Sequence, residues 1–302
     1  EWELFTKQTG KSAEESRRAL KSLPMGVTSS FQHWDPYPIS IVSAKGAWMT
    51  DVDGRQLLDL SMGFGAMLAG HLNPVIVEEV KKALESGTLF VTPSPISTDA
   101  AERICRRFGI DLVRFTNSGT ESTMYAVRTA RAATDKNAIV KIEGGYHGSY
   151  DPFVVSSKPP IDKIGDENDP IAHVPEGIVP GEIYVVPYNN ADALERTFKK
   201  HGSSIACFIL EPVLENLGIV LPDEGYLERV RELCDEYNVV LIFDEVKTGL
   251  TAGHQGAAQR LGVTPDLITL AKSIGGGLTL AAFGGKKKYM DFVTNGKMAH
   301  FG

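Results

Sequence analysis

Val239-Val240-Leu241-Ile242-Phe243-Asp244-Glu245-Val246-Lys247-Thr248-Gly249 runs five apolar residues straight into an acid and then a glycine-containing break. A continuous apolar run of that length reads as a strand buried on both faces of a parallel sheet. Its acid then falls at the carboxyl end, where open α/β sheets bind ligands. Downstream, Asp266-Leu267-Ile268-Thr269-Leu270-Ala271-Lys272-Ser273-Ile274-Gly275-Gly276-Gly277 repeats the grammar with a lysine before three glycines. An acid and a lysine at neighbouring strand ends suit pyridoxal 5'-phosphate (PLP). The lysine supplies a Schiff-base amine and the acid keeps the pyridine nitrogen protonated. Taken alone, such an acid more often caps a helix or binds a metal, and most lysines are simply solvated.

Outward from this stretch, strands alternate with helices. Expected strands are Leu112–Phe115, Ala138–Ile142, Ile183–Val186, Ile205–Leu210, the runs at Val239 and Leu267, and Leu280–Gly284. Expected helices between them include Thr120–Ala133, Ala191–His201, Glu224–Glu236 and Gln255–Leu261. This alternation predicts an α/β fold with a mostly parallel sheet. The loop of some 38 residues from Gly144 to Gly181 is too long for a plain connection and is expected to frame a site. Nearer the N-terminus, Ser12 to Leu23 predicts a helix opened by a capping box of Ser12 and Glu15. Ile39–Val42, Ala47–Thr50 and Gln56–Leu60 predict a small antiparallel sheet, with Asp51-Val52-Asp53-Gly54 as a turn. Helices are also expected over Pro74–Glu85 and Ile96–Phe108.

The 302 residues, 42% hydrophobic, suffice for one large core or two domains. A formal charge of -7 argues against nucleic acid or an anionic membrane as the main partner. Cys105, Cys207 and Cys234 form no CxxC pair, which favours a reducing, cytoplasmic setting. No apolar stretch approaches the length of a membrane span, and no signal-peptide pattern opens the chain. The chain starts at Glu1 without a methionine and stops at Gly302, and both ends are read as cut.

Further polar groups gather at other strand ends. Phe115-Thr116-Asn117-Ser118-Gly119-Thr120-Glu121-Ser122 joins a strand to a helix through hydroxyls and a glycine, a junction suited to a phosphate. An ordinary serine cap would read the same way. Glu143-Gly144-Gly145-Tyr146-His147-Gly148 could lay Tyr146 across a flat ring, or leave it a core aromatic with His147 a loop histidine. Glu211-Pro212-Val213-Leu214-Glu215-Asn216 places Glu211 and Asn216 after another buried run.

Ser118-Gly119-Thr120-Glu121, Tyr146-His147-Gly148, Glu211-Pro212-Val213, the Asp244 motif and the Lys272 motif stand in the order found in class III (ω-type) aminotransferases, and the chain resembles that family over roughly Gly26 to Gly302. Within it the sequence is most similar to the branch of glutamate-1-semialdehyde 2,1-aminomutase and the β-amino-acid and amine transaminases. The resemblance implies PLP fold type I: a seven-stranded, mostly parallel sheet with helices on both faces, plus the N-terminal part of a small domain. Residues 1–60 would belong to the small domain and 61–302 to the large PLP-binding domain, with a C-terminal domain lying beyond the chain.

It further implies a homodimer with shared active sites and ping-pong amino transfer from an amine or amino acid to a keto acid. Lys272 would form the Schiff base and shuttle the proton, and Asp244 would pair with the pyridine N–H. Val246 and Tyr146 would flank the ring, with His147 beside them. Ser118, Gly119 and Thr120 would hold the phosphate. Asn216 would lie near the phenolic oxygen, with Glu211 just behind. The rival readings are intramolecular transfer, as in the aminomutase, and a catalytically silent PLP-fold binding module. One departure bears on substrate. The branch's carboxylate-binding arginine falls at Gln32 in the aminomutases and at Ser29 in the β-amino-acid enzymes. A neutral amide cannot replace a bidentate guanidinium. Gln32 and Trp34 are therefore candidate substrate residues for donors with an apolar end, with Phe31 and Trp34 as a flat apolar surface.

Overall fold

The computed structural model describes residues 1–165, 172–294 and 297–298. It divides into two compact units, Glu1–Leu89 and Phe90–Gly302. The division lies later in the chain than the boundary at residue 60 expected from the sequence.

In the first unit, α1 (Trp2–Gln8) and α2 (Gly10–Ala19) precede an antiparallel sheet of β1 (Ile41–Lys45), β2 (Trp48–Asp51) and β3 (Gln56–Leu58), and α3 (Pro74–Ser86) follows. The hairpin turn forms as expected, with Gly54 at φ 87. The capping box does not. Helix α2 begins at Gly10, so Ser12 lies inside it, fully buried. Asp53, from the hairpin turn, takes the capping role instead. Its Oδ1 accepts from Lys11 N at 2.8 Å, and its Oδ2 accepts from Ser12 N at 3.1 Å and Ser12 Oγ at 2.7 Å. A carboxylate brought in by tertiary structure outcompetes a local hydroxyl for the free N–H groups of a first turn. Glu15 pairs with Arg18 on the surface instead.

The second unit follows the expected alternation. In order come α4 (Pro95–Phe108), β4 (Leu112–Thr116), α5 (Gly119–Thr134), β5 (Ala138–Ile142), α6 (Asp151–Val154), β6 (Ile183–Val186), α7 (Ala191–His201), β7 (Ile205–Leu210), α8 (Tyr226–Glu236), β8 (Val240–Asp244), α9 (Thr248–Thr251), α10 (Gly256–Leu261), β9 (Leu267–Leu270), β10 (Ala281–Gly285) and α11 (Lys287–Thr294). The seven strands pair in the order β4-β10-β9-β8-β7-β5-β6. Only β10 runs antiparallel to its neighbours; the other pairings are parallel. This is the α/β, mostly parallel seven-stranded sheet that the sequence predicts. Strands β5, β7, β8 and β9 are buried at every residue, which is why their sequences are apolar runs rather than alternations.

Side chains on alternate faces along each strand feed two cores. On one face, Val140, Ile142, Phe208 and Phe243 meet Leu194 and Phe198 of α7 and Leu227, Val230 and Leu233 of α8. On the other, Ile139, Ile209 and Ile242 meet Ala126, Val127 and Ala130 of α5. Each fully buried leucine, isoleucine or phenylalanine here contributes about 1.5–3 kcal/mol relative to exposure. The sheet is thus a rigid platform, and its carboxyl edge is where the polar groups collect.

Candidate active site

At the end of β4, Ser118 caps α5: its Oγ accepts from Glu121 N at 3.2 Å, and Glu121 Oε2 accepts from Asn117 N at 2.7 Å. The ordinary cap and the phosphate site are thus not alternatives here. With the Glu121 N–H satisfied, the N–H groups of Gly119 and Thr120 still have no acceptor one turn back, and the helix end is positive. Gly119 is tightly placed, since a Cβ there would lie 3.3 and 3.4 Å from the Val246 methyls and 3.5 Å from Ala271 Cβ. Gly148, at φ +97, presses on Thr120, whose Cα and Cβ would lie 2.8 and 2.9 Å from an added Cβ. These two glycines let the β4, β5, β8 and β9 termini converge.

Asp244 is buried at the end of β8. Its Oδ1 accepts from Val246 N at 3.0 Å and from Thr269 Oγ1 at 3.1 Å, and its Oδ2 lies 2.8 Å from His147 Nδ1. Thr269 stands at the register position of Asp244 on β9, so strand pairing itself delivers that contact. His147 is also buried, its backbone carbonyl accepting from Thr123 Oγ1 at 2.7 Å. With Nδ1 turned to a carboxylate, Nε2 is left buried without a partner among the described residues. His147 therefore acts on the cavity chiefly through Asp244.

Glu211, buried at the end of β7, accepts from Tyr146 N at 3.1 Å and from Asn216 Nδ2 at 3.0 Å to each carboxylate oxygen. It thus ties the Tyr146 loop and the Asn216 turn to one strand end. Lys272 lies just past β9 with φ 49, a left-handed backbone. Burial pushes its amine below the ordinary 10.5; Asp244 opposes this and the charge of Lys247 adds to it. An amine so depressed is closer to the neutral, nucleophilic form at physiological pH.

These groups surround one cavity of about 330 Å³. All ten expected cofactor residues line it: Ser118, Gly119, Thr120, Tyr146, His147, Glu211, Asn216, Asp244, Val246 and Lys272. Gln32 and Trp34 belong to the Glu1–Leu89 unit. There Gln32 Oε1 accepts from Thr28 N at 3.2 Å and Thr28 Oγ1 at 2.7 Å, and Trp34 is 70% exposed.

Lys247, Thr123, Ala271 and Gly277-Leu278-Thr279-Leu280 also line the cavity without having been singled out from the sequence. Lys247 stood inside a quoted motif; Leu278–Leu280 arrive because β10 reverses direction and starts at the carboxyl edge. No cluster of metal-ligating side chains exists among the described residues, and none of the described helices is long and apolar enough to cross a membrane.

The donor set fits PLP. A depressed amine suits an aldehyde, a buried carboxylate suits a ring N–H, and a helix N-terminus flanked by glycines suits a phosphate. Comparison with known proteins agrees. The sequence pattern of the family described as aminotransferase class-III matches residues 30–301. Glutamate-1-semialdehyde 2,1-aminomutase of Persephonella marina is 41% identical over 281 residues, 93% of this chain and 65% of that protein. Among solved structures, an omega-transaminase from Sphaerobacter thermophilus superposes with a TM-score of 0.93 at 35% identity, covering 98% of this chain and 70% of that one. A transaminase with PLP bound gives 0.88 at 33% identity, covering 97% and 69%. The chain thus spans about two-thirds of the length of such relatives. A seven-stranded sheet of this order, a cavity fitted to PLP at its carboxyl edge and a family match across nine-tenths of the sequence place this chain in the class III aminotransferase family.

Proposed function

We propose that this chain is the PLP-binding part of an aminotransferase that moves an amino group from an amine or amino acid to a keto acid in two half-reactions. The observation that carries the proposal is Lys272 and Asp244 on adjacent strand ends in one cavity with the N-terminus of α5. Lys272 would hold the cofactor's aldehyde carbon as a Schiff base and Asp244 its ring nitrogen. Gly119, Thr120 and Ser118 would hold its phosphate, with Val246 and Tyr146 on the two ring faces. Bound there, PLP supplies an electron sink for the carbanion formed when the substrate loses its Cα proton.

The rest is this chain's own work. Lys272, its amine lowered by burial, would accept the substrate's Cα proton at Nζ and carry it for return. Asp244 is held in place for the ring because Val246 N, Thr269 Oγ1 and His147 Nδ1 engage its two carboxylate oxygens. Glu211 orients both Asn216 and the Tyr146 backbone.

We further place the protein in the cytoplasm and its working form as a homodimer sharing active sites. Leu89, Phe90 and Val91 form an exposed apolar run, and Leu278 at the cavity is 55% exposed, as a surface meant for covering would be. The second reading is intramolecular transfer, favoured by the 41% identity to aminomutases. Against it stands Gln32 in place of an arginine, its amide oxygen already engaged by Thr28. The test is a comparison of kcat/KM for a primary amine, a β-amino acid and glutamate 1-semialdehyde, each in wild type and Gln32→Arg. Amino transfer to pyruvate from the amine supports the proposal; a wild-type preference for glutamate 1-semialdehyde moves the aminomutase to first place.

A further inference from the structure

Lys141 is fully buried in β5, and the chemistry above makes no use of it. It shares the strand face of Ile139, toward α5, where a lysine is costly unless it is engaged. Its Nζ donates to Val155 O at 2.7 Å and to Ser157 Oγ at 3.3 Å. Ser157 Oγ in turn lies 3.2 Å from Gly145 O and within hydrogen-bonding reach of Phe153 O. Gly144 N donates to Ser156 O at 2.7 Å. The peptide joining Gly145 to Tyr146 is consequently engaged on both sides, its carbonyl by the Ser157 hydroxyl, whose one proton it shares with Phe153 O, and its N–H by Glu211 at 3.1 Å. A loop opening on Gly144 and Gly145 has much conformational freedom to lose, and these ties offset that entropy.

We infer that Lys141 is a positioning residue: its buried amine fixes residues 144–157 against β5 and so holds Tyr146 and His147 at the wall of the cavity. Burial lowers its amine to about 7, while Glu211 at the end of β7 and Glu143, the residue after β5, pull the other way. Either the ammonium or the neutral amine can donate to Val155 O. The folded pKa lies below that of a hydrated lysine, so an opened loop binds more protons between about 7 and 10.5. Opening is therefore easiest at acid pH and becomes harder as pH rises across that window, by up to about tenfold per pH unit.

Hydrogen exchange at residues 144–157, corrected for intrinsic rates, tests this in wild type and Lys141→Met between pH 7 and 9. PLP affinity is measured beside it. The variant should exchange at least ~10-fold faster in that segment, with β8 unaffected. It should lack the pH-dependent slowing and bind PLP about tenfold more weakly. Wild-type exchange and wild-type pH dependence in the variant would overturn the inference. Should Lys141→Met fail to fold, Ser157→Ala removes the hydroxyl between Lys141 and Gly145 and must accelerate exchange at Gly144–Gly148; unchanged exchange there overturns it equally. The exchange readout does not depend on the cofactor. A wild type that binds no PLP defeats the proposed function and leaves the role of Lys141 to be decided by exchange.

Discussion

At the end of β8, Asp244 is held by partners that the sheet itself supplies: Val246 N two residues on, and Thr269 at its register position on β9. At the end of β5, Tyr146 and His147 stand on a loop whose partners come from far along the chain, Glu211 at 65 residues' separation and Asp244 at 97. One wall of the cavity is a strand terminus; the other is a braced loop. The difference separates two kinds of failure. Damage to the strand wall should remove chemistry and leave the cavity's shape, whereas damage to the loop wall should loosen the grip on the cofactor and spare the rate once it is bound.

The strand wall gives the largest expected effects. Lys272→Ala should cut turnover by ~10⁴-fold or more with the fold intact, because nucleophile and proton carrier leave together. Borohydride reduction of the PLP-loaded wild type should label Lys272; a label on Lys247 would break the assignment. Asp244→Asn should follow. Loss of a buried charge partner costs ~3–5 kcal/mol, several hundredfold or more in rate, while the amide oxygen can still accept from Val246 N. Turnover within threefold of wild type would remove Asp244 from its proposed role.

The loop wall should answer differently. Glu211→Gln weakens the bonds that orient Tyr146 and Asn216, each worth about 1.5–3 kcal/mol when the acceptor is charged. Cofactor affinity should fall ~10–100-fold with kcat at saturating PLP little changed. A fall in kcat with affinity intact would erase the distinction between the walls. Ser118→Ala sharpens the comparison from the phosphate end. Loss of the cap should cost about 1 kcal/mol of stability, lowering Tm by roughly 2–4 °C, and thermal unfolding of the apo form reads it. The smallest effect concerns pH. In the cofactor-free protein Lys272 deprotonates below the ordinary 10.5, so the rate at which added PLP forms its Schiff base should rise with pH through a midpoint under that value. The charge of Lys247 helps to depress it, so Lys247→Met should move the midpoint of that profile upward. A midpoint that stays put would mean the two ammonium groups do not sense each other.

Much of this was legible in the residues. Strand ends are local features: a largely apolar run of four to six residues gives way to a polar group, and here those groups are Thr116, Glu143, Glu211, Asp244 and Lys272, with Arg114, Lys141 and Thr269 the polar residues inside the runs. Parallel pairing then brings such stops to one edge, which is why all ten expected cofactor residues meet at a single cavity. Where local reading went astray, at Ser12, two neighbours offered a plausible cap and a carboxylate 41 residues away took it.

Sequence alone therefore determined the strands, their polar ends and the kind of chemistry those ends could hold, because periodicity and burial of a short run depend on neighbours a few residues apart. Only the tertiary structure decided which polar group satisfies which. His147 turns to Asp244, Asn216 to Glu211, and Lys141 crosses from β5 to Val155 and Ser157. A buried donor must find an acceptor wherever the fold has brought one within about 3 Å. Separation along the chain carries no information about that distance, so these partnerships exist only once the sheet has formed.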